Sequence, residues 1–425
     1  MHSAEFPGVP IDQILKWANG FGHFLYTNGN GHQPLYGSFP EMLLAGGNVQ
    51  LQSNEGSLEK LNIFLQENRS WKYGYLGYNL KNEIENLTTD KPQSIACDHL
   101  HFVVPEVVIF INRQQLEIHS NINPQLVYEG ILTSTPIKNS NIQIQAGQIK
   151  CLTSRSKYLE HVERIKQLIV EGEFYEMNYC IEFTAEVDLF DPLSFYWKLN
   201  SLSPMPFSAC IKMGDLYAIS ASPERFLKKS GNTLLSQPIK GTRSRGKDLV
   251  DDERLKKELF DSEKDRAENI MIVDLARNDL ARGSETGSVV VDELFGIYSY
   301  PKVHQMISTV RSMIRRNQPV TNLIRNTFPM GSMTGAPKVR VMQEIDRLED
   351  TARGLYSGAI GYFTPENDFD FNVVIRSIIY DTSARRILFH TGSAITYDSD
   401  AEQEYYECLL KAEAMLETLA IRPTE

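Results

Sequence analysis

Hydrophobic positions in the second half of the chain recur with the spacing of an amphipathic helix. They are Tyr158, Val162, Ile165, Leu168 and Ile169. Residues three and four apart share one face of a helix. The pattern therefore predicts a helix that Ser156 caps at its start and that ends at Gly172.

Strand-like patterns follow this helix. The run 174–188 is rich in β-forming residues, and 207–222 predicts two strands that turn at Gly214. The run 226–239 predicts another hairpin, with its turn at a Ser-Gly-Asn sequence. This interpretation places Lys240 at the end of a strand rather than in a long flexible loop.

The remaining pattern separates helices and strands into runs. Helical stretches are predicted at 248–282, 318–328, 335–350 and 402–419. Strand-like stretches are predicted at 286–293, 303–314, 356–364, 369–381 and 385–397. Because the strands do not alternate strictly with helices, we expect an α+β fold with large antiparallel sheets rather than a doubly wound parallel sheet.

The polarity of the sequence also suggests three regions. Residues 1–120 form an amino-terminal region, and 121–150 form a connecting segment rich in Asn and Gln. Residues 151–425 carry the sharpest patterns and form the third region.

Net charge and cysteine usage indicate which partners and which cellular compartment to expect. The 425 residues carry a net charge of −11, which argues against nucleic acid or an anionic membrane as a partner. The five cysteines form no CxxC pair and are odd in number, so we expect reduced thiols in a cytoplasmic protein. We expect neither a secretory signal at the start of the chain nor a membrane-spanning helix.

Two carboxylate pairs are candidates for a metal site. Glu404, Glu407 and Lys411 share one face of a predicted helix, and Asp265 and Glu268 lie three residues apart on another. If the pairs faced each other, their oxygens would suit Mg²⁺. The alternative is a solvated acidic helix face, and spacing alone does not bring the two helices together.

The segment FPMGSMTGAPKVR (328–340) places Gly331 and Gly335 before a helix, with Pro337 near its first turn. Backbone N–H groups at such a helix start favour an anion. The spacing does not fit a nucleotide-binding P-loop. The alternative is an ordinary Pro/Gly loop.

Three basic or titratable residues have two interpretations each. Arg376 lies in an apolar run and either points to solvent or clamps a carboxylate. His304 is flanked by strand-like residues, where a histidine is more often a satisfied core residue than a catalyst. Lys240 is either a turn lysine in a basic loop or a buried amine that performs chemistry.

Taken together, these stretches resemble the chorismate-utilising enzymes. The motifs are GEFYEMNYCIEF (172–183), SASPERFL (220–227), PIKGTRSRG (238–246), KDRAENIMIVDLARNDL (264–280), GSMTGAPK (331–338), RGLYSGAIGYF (353–363), DFNVVIRSIIY (370–380) and EYYECLLKAEAML (404–416). They occur in the family's order and cover most of 151–425. The amino-terminal region is similar only through GYLGYNL (74–80).

The resemblance implies two facing, largely antiparallel sheets with helices outside, an active site between the sheets, Mg²⁺, and the dicarboxylate chorismate as substrate. It implies that Glu268 and Glu407 bind the metal, with Asp265 and Glu404 as their partners. It implies that the substrate is held by Ser332, Tyr356, Arg376, Gly392 and Lys411. It also implies that Glu224 is a general acid and that His304 is a catalytic residue beside the ring.

Lys240 distinguishes the branches of the family. Pro-Ile-Lys-Gly resembles the branch that aminates chorismate at C4, whereas the anthranilate-forming branch usually has alanine there. A lysine that attacks C2 expels the C4 hydroxyl, and ammonia that then attacks C4 expels the lysine. We expect a desolvated site to lower the pKa of Lys240 so that it is partly neutral, with Glu224 protonating the departing hydroxyl.

The resemblance thus predicts formation of 4-amino-4-deoxychorismate for p-aminobenzoate and folate synthesis. Ammonia is expected from a separate glutamine amidotransferase subunit, and a separate aminodeoxychorismate lyase is expected to process the product. The alternatives are anthranilate synthase component I and a non-catalytic binding subunit. LLAGG (43–47) differs from the Leu-Leu-Glu-Ser segment of tryptophan-binding members, which argues against tryptophan inhibition.

Glu176 departs from the pattern of the family. Members that activate water carry a lysine there, so its absence argues against water as the nucleophile. Members that use ammonia commonly carry glutamine. A carboxylate at this position would hydrogen-bond or deprotonate incoming ammonium.

Overall fold

The computed structural model describes residues 1–112, 114–135, 143–144 and 149–419. The strands before residue 160 are β1 His2–Pro7, β2 His23–Asn28, β3 Met42–Ala45, β4 Gln50–Ser53, β5 Lys72–Leu76, β6 Leu100–Val103, β7 Val107–Ile111, β8 Gln115–Ser120, β9 Gln143–Ile144 and β10 Lys150–Cys151. The later strands are β11 Glu176–Leu189, β12 Phe207–Met213, β13 Leu216–Ser222, β14 Arg225–Ser230, β15 Thr233–Gln237, β16 Ile239–Ser244, β17 Val290–Ser299, β18 Val303–Met313, β19 Gly335–Ala336, β20 Ala359–Phe363, β21 Phe369–Asn372, β22 Ser377–Asp381 and β23 Arg386–Ile395.

The helices lie between runs of strands along the chain. They are α1 Ile11–Ala18, α2 Ser57–Glu67, α3 Lys81–Glu85, α4 Pro124–Thr133, α5 Arg155–Val170, α6 Pro192–Leu202, α7 Leu249–Asp261, α8 Glu263–Ala281, α9 Val320–Thr327, α10 Lys338–Leu348 and α11 Ala401–Leu419. Two 3₁₀ turns, Tyr78–Leu80 and Gly331–Met333, complete the described elements.

The strands form two large sheets. One runs β1-β8-β7-β3-β2-β12-β13-β22-β23-β11-β10, with β9 and β19 also paired to β11. The other runs β16-β18-β15-β14-β21-β20-β5-β6-β4, with β17 also paired to β18. Pairings such as β11 with β23 and β16 with β18 are antiparallel, so the predicted α+β fold is confirmed.

The main core lies between the two sheets. Along β12, Phe207, Ala209 and Ile211 belong to this core, whereas Cys210 belongs to a second core on the other face. Successive side chains of a strand point to opposite faces of its sheet, so alternate residues of β12 enter the two cores. Leu227 and Phe371, from the other sheet, belong to the same core as Ile211.

The second core lies between the larger sheet and helices α5, α6, α10 and α11. In α5, Tyr158, Val162, Ile165 and Leu168 are buried, as predicted. The predicted cap was wrong by two residues. The hydroxyl of Ser154, not of Ser156, accepts a hydrogen bond from the N–H of Lys157 at 3.3 Å.

Helices α7 and α8 lie on the smaller sheet, where α8 packs against β16 and β18. The Ser262 hydroxyl caps α8 by accepting from the N–H of Asp265 at 3.3 Å. The interpretation of 248–282 as helical is therefore confirmed, and this packing sets the acidic face of α8 beside β16.

Both predicted hairpins are confirmed. β12 and β13 turn at Gly214 with φ +63°, and β14 and β15 turn at Gly231 with φ +56°. Glycine has no Cβ and adopts such backbone angles without strain. Lys240, however, lies second in the next strand, β16, rather than at the end of the hairpin.

The predicted single strand 369–381 is wrong. The chain leaves the smaller sheet after β21 and enters the larger sheet at β22, and the break spans 373–376. Arg376 is therefore not a strand residue. Its φ of 51° is left-handed, which is uncommon for a residue with a Cβ.

The connecting segment contains α4 and the short strands β9 and β10, while 136–142 and 145–148 lie outside the described residues. All five cysteines are free thiols. Over the described ranges, the helices are too short or too polar to cross a membrane.

Candidate active site

Lys240 and Glu176 form an ion pair between the two sheets. Lys240 is in β16 of the smaller sheet, and Glu176 begins β11 of the larger sheet. Lys240 is 9% exposed and Glu176 is fully buried. The second carboxylate oxygen of Glu176, Oε2, is buried without a hydrogen-bond partner among the described atoms.

This pairing changes the expected charge of Lys240. Burial alone would lower its pKa, but the carboxylates of Glu176 and Glu268 outweigh burial, so the pKa lies above its ordinary value. The prediction of a lowered pKa was wrong, because it counted desolvation without the neighbouring charges.

Glu224 lies between β13 and β14, enclosed by three hydrogen bonds. Its Oε1 accepts from the Ser332 hydroxyl at 2.7 Å, and its backbone N–H donates to the Ser222 hydroxyl at 3.2 Å. Its carbonyl accepts from the N–H of Val373 at 3.0 Å. Burial raises the pKa of Glu224 to about 7, so this carboxyl group can donate a proton near neutral pH.

A buried salt bridge holds the strand next to Glu224. The guanidinium of Arg225 binds Asp370 through two hydrogen bonds of 2.8 and 2.9 Å, and it also donates to Gln237 at 2.5 Å. These contacts tie β14 to β21 and β15. A paired and fully hydrogen-bonded arginine of this kind restricts the position of its neighbour in sequence.

The glycine-rich segment lies against Glu176. Gly335 and Ala336 form β19, in which Ala336 pairs with Glu176. Gly335 has φ +147°, and a Cβ there would lie 2.0 Å from the Glu176 carbonyl oxygen. The glycine therefore allows the two backbones to approach, and the preceding 3₁₀ turn presents Ser332 to Glu224.

The two acidic helices face each other through a lysine. Lys264 Nζ lies 3.9 Å from Glu268 and 3.8 Å from Glu404, so it joins α8 to α11. Glu404 also accepts from the Ser399 hydroxyl at 2.8 Å. Burial raises the pKa of Glu268 to about 7, although the charge of Lys240 opposes this rise.

The other two predicted ligands have basic partners. Asp265 pairs with Arg243 at 2.7 Å, and Glu407 pairs with Lys411 at 2.6 Å. Within the described part of the chain, no three His, Cys, Asp or Glu side chains gather as a metal site. The donor set nevertheless fits Mg²⁺ chemically, because it consists of carboxylates on two helices with one cation already between them.

The predicted substrate contacts Tyr356 and Arg376 lie near the crossing between the sheets, where Tyr356 is buried and Arg376 is half-buried. The Tyr356 ring stacks on His390, with centroids 4.8 Å apart and an angle of 14°. His390 Nε2 lies 3.3 Å from a Glu182 oxygen, and both side chains are buried. Burial lowers the pKa of Arg376, while Tyr356 and Glu407 oppose that shift.

Lys411 and Gly392 contact each other directly. Lys411 Nζ donates to the Gly392 carbonyl at 2.8 Å. A Cβ at Gly392 would lie 2.5 Å from the Cys180 sulfur. Close packing of β23 on β11 therefore explains this glycine without a substrate.

His304 has partners outside the predicted set. Its Nδ1 lies 2.8 Å from the Ser299 hydroxyl, and its Nε2 lies 2.9 Å from Asp252. The side chain is fully buried. These are the contacts of a satisfied core histidine, which was the alternative interpretation of the sequence.

Sequence reasoning missed two groups near the predicted site. Lys264 precedes the acidic pair on α8 and has an ordinary exposed-helix pattern. Glu182 and His390 are cross-strand partners in β11 and β23. Glu182 and His390 each alternate with apolar residues, which is typical of a strand. The sequence does not show that they pair with each other, because this depends on the register between β11 and β23.

One known protein family has a model that matches most of this chain. The family model for chorismate binding enzyme matches residues 22–417. The chain belongs to the chorismate-binding enzyme family. The predicted resemblance is confirmed.

Curated relatives carry more specific names. The chain is 34% identical to aminodeoxychorismate synthase component 1 of Bacillus subtilis over 366 residues, covering 83% of this chain and 77% of the relative. It is 43% identical to aminodeoxychorismate synthase of Streptomyces griseus over 275 residues, covering 64% of this chain. The match spans only 38% of the Streptomyces griseus protein and 29% of a rice relative with the name "Probable aminodeoxychorismate synthase, chloroplastic".

Solved structures share the fold. Anthranilate synthase component I of Streptococcus pneumoniae aligns with a TM-score of 0.77 and 25% identity over 91% of this chain and 94% of that one. The isochorismate synthase MenF of Escherichia coli aligns with a TM-score of 0.76 over 98% of this chain and 94% of that one. At 17% identity, the second likeness concerns the fold alone.

Proposed function

We propose that this protein aminates chorismate at C4 to give 4-amino-4-deoxychorismate. The observation that carries the proposal is the position of Lys240, which is buried between the sheets beside Glu176, with the charges of Glu224 and Glu268 acting on it. A solvent-exposed turn lysine would have none of these neighbours. The names of the Bacillus subtilis and Streptomyces relatives support the same assignment.

The proposed reaction consists of two displacements. The Lys240 amine attacks C2, both ring double bonds shift, and the C4–O bond breaks as Glu224 donates a proton to the departing hydroxyl. Ammonia then attacks C4, both double bonds shift back, and the C2–N bond to Lys240 breaks. A raised pKa equips Glu224 for its step, because with a pKa of about 7 roughly half of the acid is still protonated at neutral pH.

The remaining predicted residues bind the substrate or the metal in this proposal. Glu268 and Glu407, with Asp265 and Glu404 as their partners, would hold Mg²⁺, whose charge would neutralise a substrate carboxylate. Ring and carboxylate contacts are assigned to Ser332, Tyr356, Arg376, Gly392 and Lys411. His304 would support the strand beside the ring through its buried hydrogen bonds.

The proposed partners follow from the chemistry. The reaction consumes ammonia, for which a glutamine amidotransferase subunit is the proposed source. The product still carries the enolpyruvyl group, so a separate aminodeoxychorismate lyase is proposed to form p-aminobenzoate. Anthranilate formation is the second candidate, because the Streptococcus pneumoniae structure with the same fold is an anthranilate synthase component I.

One incubation separates the candidates. The purified chain is mixed with chorismate, Mg²⁺ and an ammonium salt, with and without added aminodeoxychorismate lyase. We expect p-aminobenzoate only when the lyase is present. Anthranilate without lyase would assign the second function, and no turnover under either condition would favour a non-catalytic subunit.

A further inference from the structure

The ion pair between Lys240 and Glu176 poses a chemical problem for the proposed reaction. An ammonium group has no lone pair, so Lys240 must lose a proton before its nitrogen can attack carbon. The surrounding carboxylates favour the charged form. The site therefore needs a group that removes this proton in place.

Four carboxylates act on Lys240, namely Glu176, Glu224, Glu268 and Glu407, of which Glu407 pairs with Lys411. Glu224 accepts a hydrogen bond from the Ser332 hydroxyl, and it is the proposed acid that protonates the departing hydroxyl of the substrate. Glu268 faces Lys264 and belongs to the carboxylates of the proposed cation site. Glu176 is the one whose oxygen contacts Lys240 Nζ.

The surroundings of Glu176 leave it free to accept a proton. Its side chain is buried, and Oε2 has no hydrogen-bond partner among the described atoms. Backbone pairing of Glu176 with Ala336 holds the residue at the start of β11. A fixed carboxylate at hydrogen-bond distance is the geometry that proton transfer requires.

We propose that Glu176 is the catalytic base that takes the proton from Lys240 and later returns it. This inference rests on the proposed C4 amination. The Lys240 ammonium gives one proton to Glu176, and the neutral amine bonds to C2 while Glu224 protonates the hydroxyl that leaves as water. Ammonia then bonds to C4, and Lys240 departs as an amine and recovers its proton from Glu176. The new C4 ammonium gives a proton to Glu224, which restores both carboxyl groups.

Glu176→Gln tests this role because the amide keeps the size of the side chain but cannot accept the proton. We expect kcat for 4-amino-4-deoxychorismate to fall by about a hundredfold or more, with KM for chorismate within about threefold of wild type. Glu176→Asp should recover part of kcat. Glu171→Gln, at an exposed glutamate five residues upstream, is the matched control and should behave as wild type.

The pH dependence provides a readout that loss of packing would not produce. Without Glu176, the proton of Lys240 must go to solvent, so the rate of Glu176→Gln should rise steadily from about pH 8 to about pH 10 relative to wild type. Besides burial, the charge of Glu176 is one cause of the raised pKa of Glu268, so the variant should lower that pKa, and the ratio is read above about pH 8, where Glu268 is ionised in both proteins. Far-ultraviolet circular dichroism checks that the variant is folded.

A second measurement examines the bond-forming step alone. Wild type and Glu176→Gln are mixed with chorismate and Mg²⁺ without ammonia, and the intact protein mass is followed. We expect an adduct of chorismate less one water, formed about a hundredfold more slowly in the variant.

Four results would overturn the inference. The base is not Glu176 if Glu176→Gln keeps kcat within about threefold of a productive wild type, or if the variant raises KM alone. A flat ratio of rates across the pH range has the same consequence. If wild type itself forms no 4-amino-4-deoxychorismate, the proposed function fails together with this role.

Discussion

Lys240 and Glu176 meet from opposite sheets, 64 residues apart in the chain, and their ion pair links the two sheets. The pair is buried, and its charges lie beside Glu224 and Glu268. Removing one partner would leave the other as an isolated buried charge, so the consequences of substitution are large and measurable.

The raised pKa of Glu224 predicts a pH-dependent gain in stability for Glu224→Gln. The folded protein holds this proton up to about pH 7, whereas the ordinary value is 4.5. Proton binding by Glu224 therefore stabilises the folded protein fully at a pH below 4.5, the pKa of the group in the unfolded chain. This stabilisation is lost as the pH rises through about 7, the pKa in the folded protein. At about pH 8, the neutral amide should be more stable than the buried carboxylate by up to about 3 kcal/mol.

Urea denaturation at about pH 8 and about pH 5 measures this difference. The gain of Glu224→Gln over wild type should appear at the higher pH and shrink at the lower one. Glu253→Gln, at a glutamate that is 73% exposed, is the control and should change little at either pH. An equal difference at both pH values would show that Glu224 is not a buried acid with a raised pKa.

Lys264 predicts an altered magnesium requirement. Its ammonium lies between Glu268 and Glu404, where it competes with any cation bound there. Lys264→Gln should lower the Mg²⁺ concentration needed for half-maximal activity by up to about fivefold, since exposed ion pairs contribute about 0.2–1 kcal/mol. Magnesium titration of the amination assay checks this.

Lys256→Gln removes a partly exposed lysine of α7 that pairs with Glu253, and it should leave the magnesium requirement unchanged. Removal of magnesium by a chelator should abolish turnover of both proteins. A higher requirement in Lys264→Gln would mean that the lysine assists the site rather than competing for it.

The Glu182–His390 pair behind Tyr356 predicts coupled effects on stability. His390→Phe keeps a ring that stacks on Tyr356 but leaves Glu182 buried without its basic neighbour. We expect a loss of about 3 kcal/mol or more in the free energy of unfolding. Adding Glu182→Leu should recover much of it, because the unpaired charge is then gone.

Urea denaturation of the two single variants and the double variant provides this test. Losses that simply add in the double variant would contradict the pairing. In the folded His390→Phe protein, KM for chorismate should stay close to wild type, because the stacked ring on Tyr356 is preserved.

Local sequence determined much of the fold. The hairpins at Gly214 and Gly231 follow from turn residues with left-handed backbone angles, and α5 follows from its apolar spacing. The break before Arg376 was not predictable, because the apolar run is continuous in sequence and only the passage between two sheets interrupts it.

The candidate site divides in the same way. The motifs containing Glu224 and Lys240 could be placed at the two ends of the hairpin β14–β15 from the turn between them. The Lys240–Glu176 contact could not, because it depends on how two sheets face each other. The bridge from Lys264 to Glu268 and Glu404 could not be predicted either, because residue spacing within a helix does not show which other helix lies opposite.

Lys240 is proposed to direct nitrogen to C4, and the variant Lys240→Ala examines this role. The variant is incubated with chorismate, Mg²⁺, an ammonium salt and aminodeoxychorismate lyase, beside wild type and Lys247→Ala, which removes an exposed lysine just after β16. We expect p-aminobenzoate from Lys240→Ala to fall by at least about a thousandfold, with anthranilate as any residual product, while Lys247→Ala matches wild type. An undiminished yield of p-aminobenzoate from Lys240→Ala would contradict the account.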